Sequence, residues 1–214
     1  MRQRQRIGVY GGTFDPIHIG HLVAAEEVRA VLRLDRLLFL LAGDPPHKHA
    51  NGLTPATHRK RMVEIAIADN PLFELSTIDL DRPGPHYTAD ALAILQQREP
   101  NADLWFVMGE DTLLDIPNWH VPERIVEFAR LAVVTRPGWR VRVEDLASLD
   151  IAIPGIVHQS DFVPIPMLDI ASRRVRERIR HGQPHRYLVR SDVATYIHAH
   201  GLYGSMEYRP ASDT

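Results

Sequence analysis

Eleven consecutive residues, Gly11-Gly12-Thr13-Phe14-Asp15-Pro16-Ile17-His18-Ile19-Gly20-His21, carry groups suited to handling phosphate. Glycines let backbone approach a bulky anion because no Cβ stands in the way. His18 and His21 sit three apart where a helical pattern begins, so both imidazoles can project from one side. A helix start directs its N–H groups and positive dipole end at the same place. Two imidazole donors beside backbone amides can stabilise phosphate oxygens whose charge grows during reaction. The string is not a G-x-G-x-x-G dinucleotide fingerprint, and no Gly-Lys-Ser/Thr follows to make a Walker loop.

Other reactive groups recur where apolar runs end. Pro45-Pro46-His47-Lys48 puts an ammonium on a proline-stiffened loop, where it can meet a phosphate as a point charge. In His86-Tyr87-Thr88, Thr88 reads as a helix N-cap. In Met108-Gly109-Glu110-Asp111, Gly109 permits close approach of a nucleotide and Asp111 can accept from ribose hydroxyls. Trp119, between polar Asn118 and His120, offers a face for stacking on an aromatic ring. Arg136 ends another strand-like run. Ser172 reads as a cap that leaves helix N–H groups for a phosphate, with Arg176 one turn on. His49 and His58 read as surface residues.

The elements that must position these groups alternate. Strand-like runs at Ile7–Tyr10, Arg36–Gly43, Phe73–Ile78, Asp103–Gly109 and Leu131–Thr135 are separated by helical patterns at Gly20–Leu34, from Thr54-Pro55 to about Asn70, at Thr88–Arg98, and up to Ala129. Ile156–His158 and Phe162–Pro164 read as weak short strands, and helices at Ala171–His181 and Asp192–His200 end at Gly182 and Gly201. The expectation is an α/β, Rossmann-like, doubly wound sheet, mainly parallel, with helices on both faces. One domain spans 1–204, its C-terminal helical part about 170–204, and residues 205–214 read as a disordered tail. In such sheets ligands bind beyond the carboxyl ends of the strands, where the residues above fall.

Composition narrows the chemistry. The 214 residues include no cysteine, which excludes a disulfide scaffold, a thiolate metal site and a cysteine nucleophile. Net charge is −2 and the pI is about 6.6, so no basic field points to nucleic acid or acidic membranes. No apolar run reaches membrane-spanning length, and the basic start leads into a strand-like run instead of an apolar signal core. A cytoplasmic protein is expected, with a homo-oligomer left open. A zinc hydrolase built on His18, His21, His47 and His49 would lack a carboxylate at matching spacing.

The string from Gly11 to His21 resembles the nucleotidyltransferase signature with its His-x-Gly-His element. It has the longer Gly-Gly-Thr-Phe-Asp-Pro form of bacterial nicotinate-nucleotide adenylyltransferases. His-x-Gly-His alone also fits pantetheine-phosphate adenylyltransferases, cytidylyltransferases and class I aminoacyl-tRNA synthetases. Later motifs similar to that family extend the resemblance to about residue 204. It implies transfer of AMP from ATP to nicotinate mononucleotide in NAD biosynthesis, releasing pyrophosphate; the alternative acceptors are nicotinamide mononucleotide or phosphopantetheine. Carried over by motif, the catalytic residues are His18, His21 and Arg176. Gly11, Gly12, Thr13, Phe14, Gly109, Asp111 and Ser172 join them around ATP. His47, Lys48, Tyr87, Thr88, Trp119 and Arg136 surround the pyridine mononucleotide. Mg²⁺ arrives with ATP, held by phosphates and water and not by protein ligands. The family usually has Ile-Ser-x-Thr-x-Ile-Arg where this chain has Ile170-Ala171-Ser172-Arg173-Arg174-Val175-Arg176. The hydroxyl expected at 173 is therefore lost, and Arg173 either adds charge near the triphosphate or points to solvent.

Overall fold

A computed structural model describes residues 4–43, 52–135 and 141–204. The strands are β1 (Gln5–Gly12), β2 (Arg36–Leu41), β3 (Phe73–Ser76), β4 (Ala102–Gly109), β5 (Ala129–Thr135) and β6 (Ser160–Pro164). They form a parallel six-stranded sheet in the order β3-β2-β1-β4-β5-β6. The helices are α1 (Ile19–Val31), α2 (Ala56–Ile67), α3 (Thr88–Arg98), α4 (Glu110–Asp115), α5 (Glu123–Phe128), α6 (Val143–Ala152), α7 (Ser172–Arg180) and α8 (Ser191–Ala199). Short 3₁₀ turns lie at Ile116–Asn118 and Leu202–Gly204.

Side chains alternate across the sheet and bury both faces. Leu37, Phe39, Leu41, Trp105 and Val107 pack with Ala25 and Val28 of α1, Met62 and Val63 of α2, Val175 of α7, and Val193 of α8. Leu38, Leu40, Leu104, Phe106 and Met108 pack on the other side with Leu92 and Leu95 of α3, Leu113 of α4, Ile125 of α5, and Leu149 of α6. Continuous apolar runs are what a strand buried on both faces needs, and Leu37–Leu41 is one. Strands are added outward in one direction from β1 to β3 and in the other from β4 to β6, and this switch between β1 and β4 opens a crevice at their carboxyl ends.

Several expected boundaries move. Pro55, not Thr54, is the N-cap of α2, and the helix starts at Ala56; Thr54 instead gives its N–H to the Asp15 carboxylate at 3.3 Å. Arg190 precedes α8, which begins with Ser191. The expected strand at Ile156–His158 is a turn, because the Asp150 carboxylate draws in the N–H groups of Gly155 and Val157. The α6 helix before it was missed. Its Val143 and Ile151 are exposed and Leu149 is its only fully buried side chain, so no apolar stripe announces it. Gly182 and Gly201 take φ of 62° and 59°, the left-handed stop expected after α7 and α8.

One buried cation ties the sheet to its loops. Arg59 of α2 is 0% exposed although it stands in a polar run, His58-Arg59-Lys60-Arg61. Its guanidinium donates to the carbonyls of Thr13, Ala42, Gly43 and Thr54 at 3.0, 2.9, 3.3 and 2.9 Å. The fixed fork of an arginine suits such divergent acceptors. Arg59→Met should lower unfolding free energy by about 3 kcal/mol or more, since each buried acceptor left without a donor costs about 1–3 kcal/mol. Urea denaturation measures this; a loss below about 1 kcal/mol would mean those carbonyls find other donors.

Candidate active site

The loop after β1 ends in an unusual helix cap. His18, extended at φ −139° and ψ 169°, is the N-cap of α1 and accepts the N–H of His21 on its own Nδ1 at 3.3 Å. The Nδ1 of His21 in turn accepts the N–H of His18 at 3.1 Å. Two histidines thus make a reciprocal capping box, a job usually done by a hydroxyl and a carboxamide or carboxylate. Their rings stack, centroids 3.6 Å apart and planes 20° from parallel. Because each Nδ1 accepts, the ring hydrogen belongs on Nε2, on the side of each ring away from the helix turn. Gly20 makes this possible: a Cβ there would stand 3.1 Å from the His18 ring. His18 is 6% exposed and His21 half-buried, so the pair forms a floor more than a rim.

Phe14, expected around ATP, packs its ring inward. Its backbone takes φ 45°, and its ring is 2% exposed among Tyr10, Phe39 and His21. The ring edge braces His21 at 5.1 Å between centroids; the side chain packs inward and leaves only main chain for a ligand. Gly12 must lack a Cβ to admit that ring, since one would lie 2.8 Å from it. Thr13 holds its carbonyl to Arg59.

The residues expected from α7 come to the same loop. Ala171, not Ser172, is the N-cap of α7, and no side chain caps it. The Ser172 hydroxyl instead donates to the Pro16 carbonyl at 2.9 Å. Arg176 donates to the Asp15 carbonyl at 2.6 Å and lies 3.9 Å from its carboxylate. Arg173 turns away; its side chain is 80% exposed beside Glu177 at 3.7 Å. Asp15 itself, which sequence reasoning quoted without a role, is 2% exposed and accepts from Tyr203 and from Thr54. Its place inside the Gly-Gly-Thr-Phe-Asp-Pro string was the available signal.

The other half of the crevice gathers at β4 and α3. Gly109 closes β4, and a Cβ there would collide with the carboxylate of exposed Asp111. Tyr87, not Thr88, is the N-cap of α3; Thr88 is the first helical residue, and no side chain caps the helix. The Tyr87 ring stacks on His120 at 3.9 Å and 24°, a partner unassigned from sequence. Trp119 is half-buried, edge-on to Phe106 at 6.2 Å, with its indole N–H on Asp115 at 3.3 Å. His47, Lys48, His49, Arg136 and the tail 205–214 lie outside the described residues. His58 is half-buried, not a surface residue, and its Nδ1 lies 2.9 Å from the Tyr196 hydroxyl.

A cleft of about 780 Å³ opens beyond β2 and β3, lined by Gly43, Lys60, Asp79, Arg82 and His86 among others. None of the described site residues named from sequence lines it. Burial pushes the Asp79 carboxyl up, against the pull of Arg82 at 2.9 Å.

A parallel doubly wound sheet with an imidazole pair and glycine-rich turn at its switch point defines a nucleotidyltransferase-class α/β protein. A family model described as "Cytidylyltransferase-like" matches residues 9–178. A Thermomicrobium roseum protein named "Probable nicotinate-nucleotide adenylyltransferase" is 46% identical over 202 residues, 94% of this chain and 93% of its own length. A Thermus thermophilus protein of the same name is 40% identical, covering 92% of this chain and 99% of its own. The solved structure of Plasmodium falciparum nicotinic acid mononucleotide adenylyltransferase complexed with NaAD shares the fold, at a TM-score of 0.75 and 21% identity over 94% of this chain and 98% of that one. This chain belongs to the cytidylyltransferase-like family and, within it, to the nicotinate-nucleotide adenylyltransferases. Among the described residues no helix is long and apolar enough to cross a membrane.

The reciprocal cap makes a spectroscopic prediction. In ring-¹⁵N-labelled protein, His18 and His21 should both carry hydrogen on Nε2 with Nδ1 unprotonated. A hydrogen on either Nδ1 would break the cap as described.

Proposed function

We propose that the chain transfers the AMP moiety of ATP to nicotinate mononucleotide, yielding nicotinate adenine dinucleotide and pyrophosphate. An oxygen of the mononucleotide phosphate bonds to the α-phosphorus as the bond from that phosphorus to the pyrophosphate oxygen breaks. The nucleophile is already an anion, so no base must remove a proton. Catalysis then consists of alignment and of donors for charge that builds on the departing oxygens. The observation that carries the reading is the stacked pair His18 and His21 at the α1 cap, each with its Nδ1 engaged by the other's backbone N–H.

In this reading His18 and His21 serve the phosphates, with the main-chain amides of Gly11, Gly12 and Thr13. Arg176 and Ser172 hold the loop from behind and, for Arg176, offer charge to the departing group. Gly109 and Asp111 receive the adenosine half, Asp111 through the ribose hydroxyls. Tyr87, Thr88 and Trp119 receive the pyridine ring, together with Arg136, His47 and Lys48. The uncapped first turn of α3 favours an anion, which supports a nicotinate carboxylate over a neutral amide. A divalent cation accompanies ATP; we take it as Mg²⁺, carried on the triphosphate oxygens and water. The site side chains named above for the phosphates are hydrogen-bond donors or cations, a set that fits phosphate oxygens.

Pyrophosphate release from ATP should be faster with nicotinate mononucleotide than with nicotinamide mononucleotide, measured side by side under identical conditions. Equal rates would remove the carboxylate argument, and release with neither would overturn the assignment. His21→Ala should lower kcat roughly 10²–10³-fold at saturating substrates, the cost of one donor made in the transition state. Turnover within threefold of the parent would take His21 out of the chemistry.

A further inference from the structure

Tyr203 lies far along the chain from the phosphate loop and has no place in the mechanism above, yet its hydroxyl donates to Asp15 Oδ1 at 2.6 Å. The acceptor is a carboxylate 2% exposed, whose other oxygen takes the Thr54 N–H. Asp15 is three residues before His18, and the intervening Ile17 is 1% exposed. The carboxylate therefore fixes the middle of the segment that delivers the imidazole pair.

The chain accepts a strained backbone to present this phenol. Tyr203 takes φ 61°, a left-handed conformation that side-chain-bearing residues rarely adopt, between Gly201 at 59° and Gly204 at 72°. Burial, then the nearby Asp15 charge, pushes the phenol well above its ordinary range.

We propose that Tyr203 is a positioning residue whose hydroxyl, acting through Asp15, sets the Thr13–His18 loop and thereby the placement of His18 and His21. It touches neither substrate. The proposal rests on the adenylyltransferase reading for its kinetic arm only. An ångström of misplacement in a phosphate-transfer site costs up to about 10²-fold in rate.

Tyr203→Phe keeps the ring and removes the donor. Kinetics at a temperature where circular dichroism shows both proteins folded should give a kcat about tenfold lower or more, while KM for nicotinate mononucleotide stays within twofold. The loss should shrink below threefold when Tyr203→Phe is added to His21→Ala, because residues acting through one another do not cost independently. A kcat within twofold of the parent, or an equal loss in both backgrounds, overturns the proposal. If Tyr203→Phe does not fold, Asp15→Asn carries the same comparison, since it replaces the charged acceptor of the phenol with a neutral amide and weakens the bond at its other end. A second readout needs no activity: the ring nitrogens of His18 and His21 should shift in Tyr203→Phe while those of His185 and His198 do not. Unmoved His18 and His21 signals overturn the proposal even if the parent protein proves to act on another substrate.

Discussion

The segment from Thr13 to His18 has no hydrogen-bonding ladder of its own, so its shape is imposed from outside. Arg59 takes the Thr13 carbonyl, Arg176 takes that of Asp15, and Ser172 takes that of Pro16. The Asp15 carboxylate is filled by Tyr203 and Thr54. A carbonyl oxygen engaged by an arginine is one that does not repel a phosphate. The same bonds that stiffen the loop therefore dispose of its negative dipole ends.

The imidazole pair adds an economy of its own. A helix start needs acceptors for its first N–H groups, and phosphate chemistry needs donors. Histidine has one nitrogen for each purpose, and using Nδ1 for the cap determines which nitrogen donates. A lysine or arginine here would donate but could not cap, and a serine would cap but bring one short hydroxyl. The spacing of three is what lets each ring reach the other's backbone N–H.

The fold was largely readable because a parallel sheet demands continuous apolar strands and long helical crossovers, and Leu37–Leu41 and Ala102–Gly109 meet that demand. α6 escaped because it buries one side chain and so leaves almost no periodic trace. Within the site, His18, His21, Gly109, Ser172 and Arg176 stood out by residue type at strand ends and helix starts. Arg59 did not, since a cation amid His58, Lys60 and Arg61 looks solvated until three-dimensional packing closes over it. Tyr203 was invisible for a related reason: a phenol announces neither its left-handed backbone nor a partner 188 residues away. Thr88 and Ser172 were read as caps from type alone, and in each case the residue before them supplies the extended backbone.

The bonds on Asp15 and Pro16 span 156, 161 and 188 positions of sequence. During synthesis the glycine turn leaves the ribosome long before α7 and the Leu202–Gly204 turn exist to shape it. A nascent chain therefore carries the glycine turn before the segments that hold it in shape have been made.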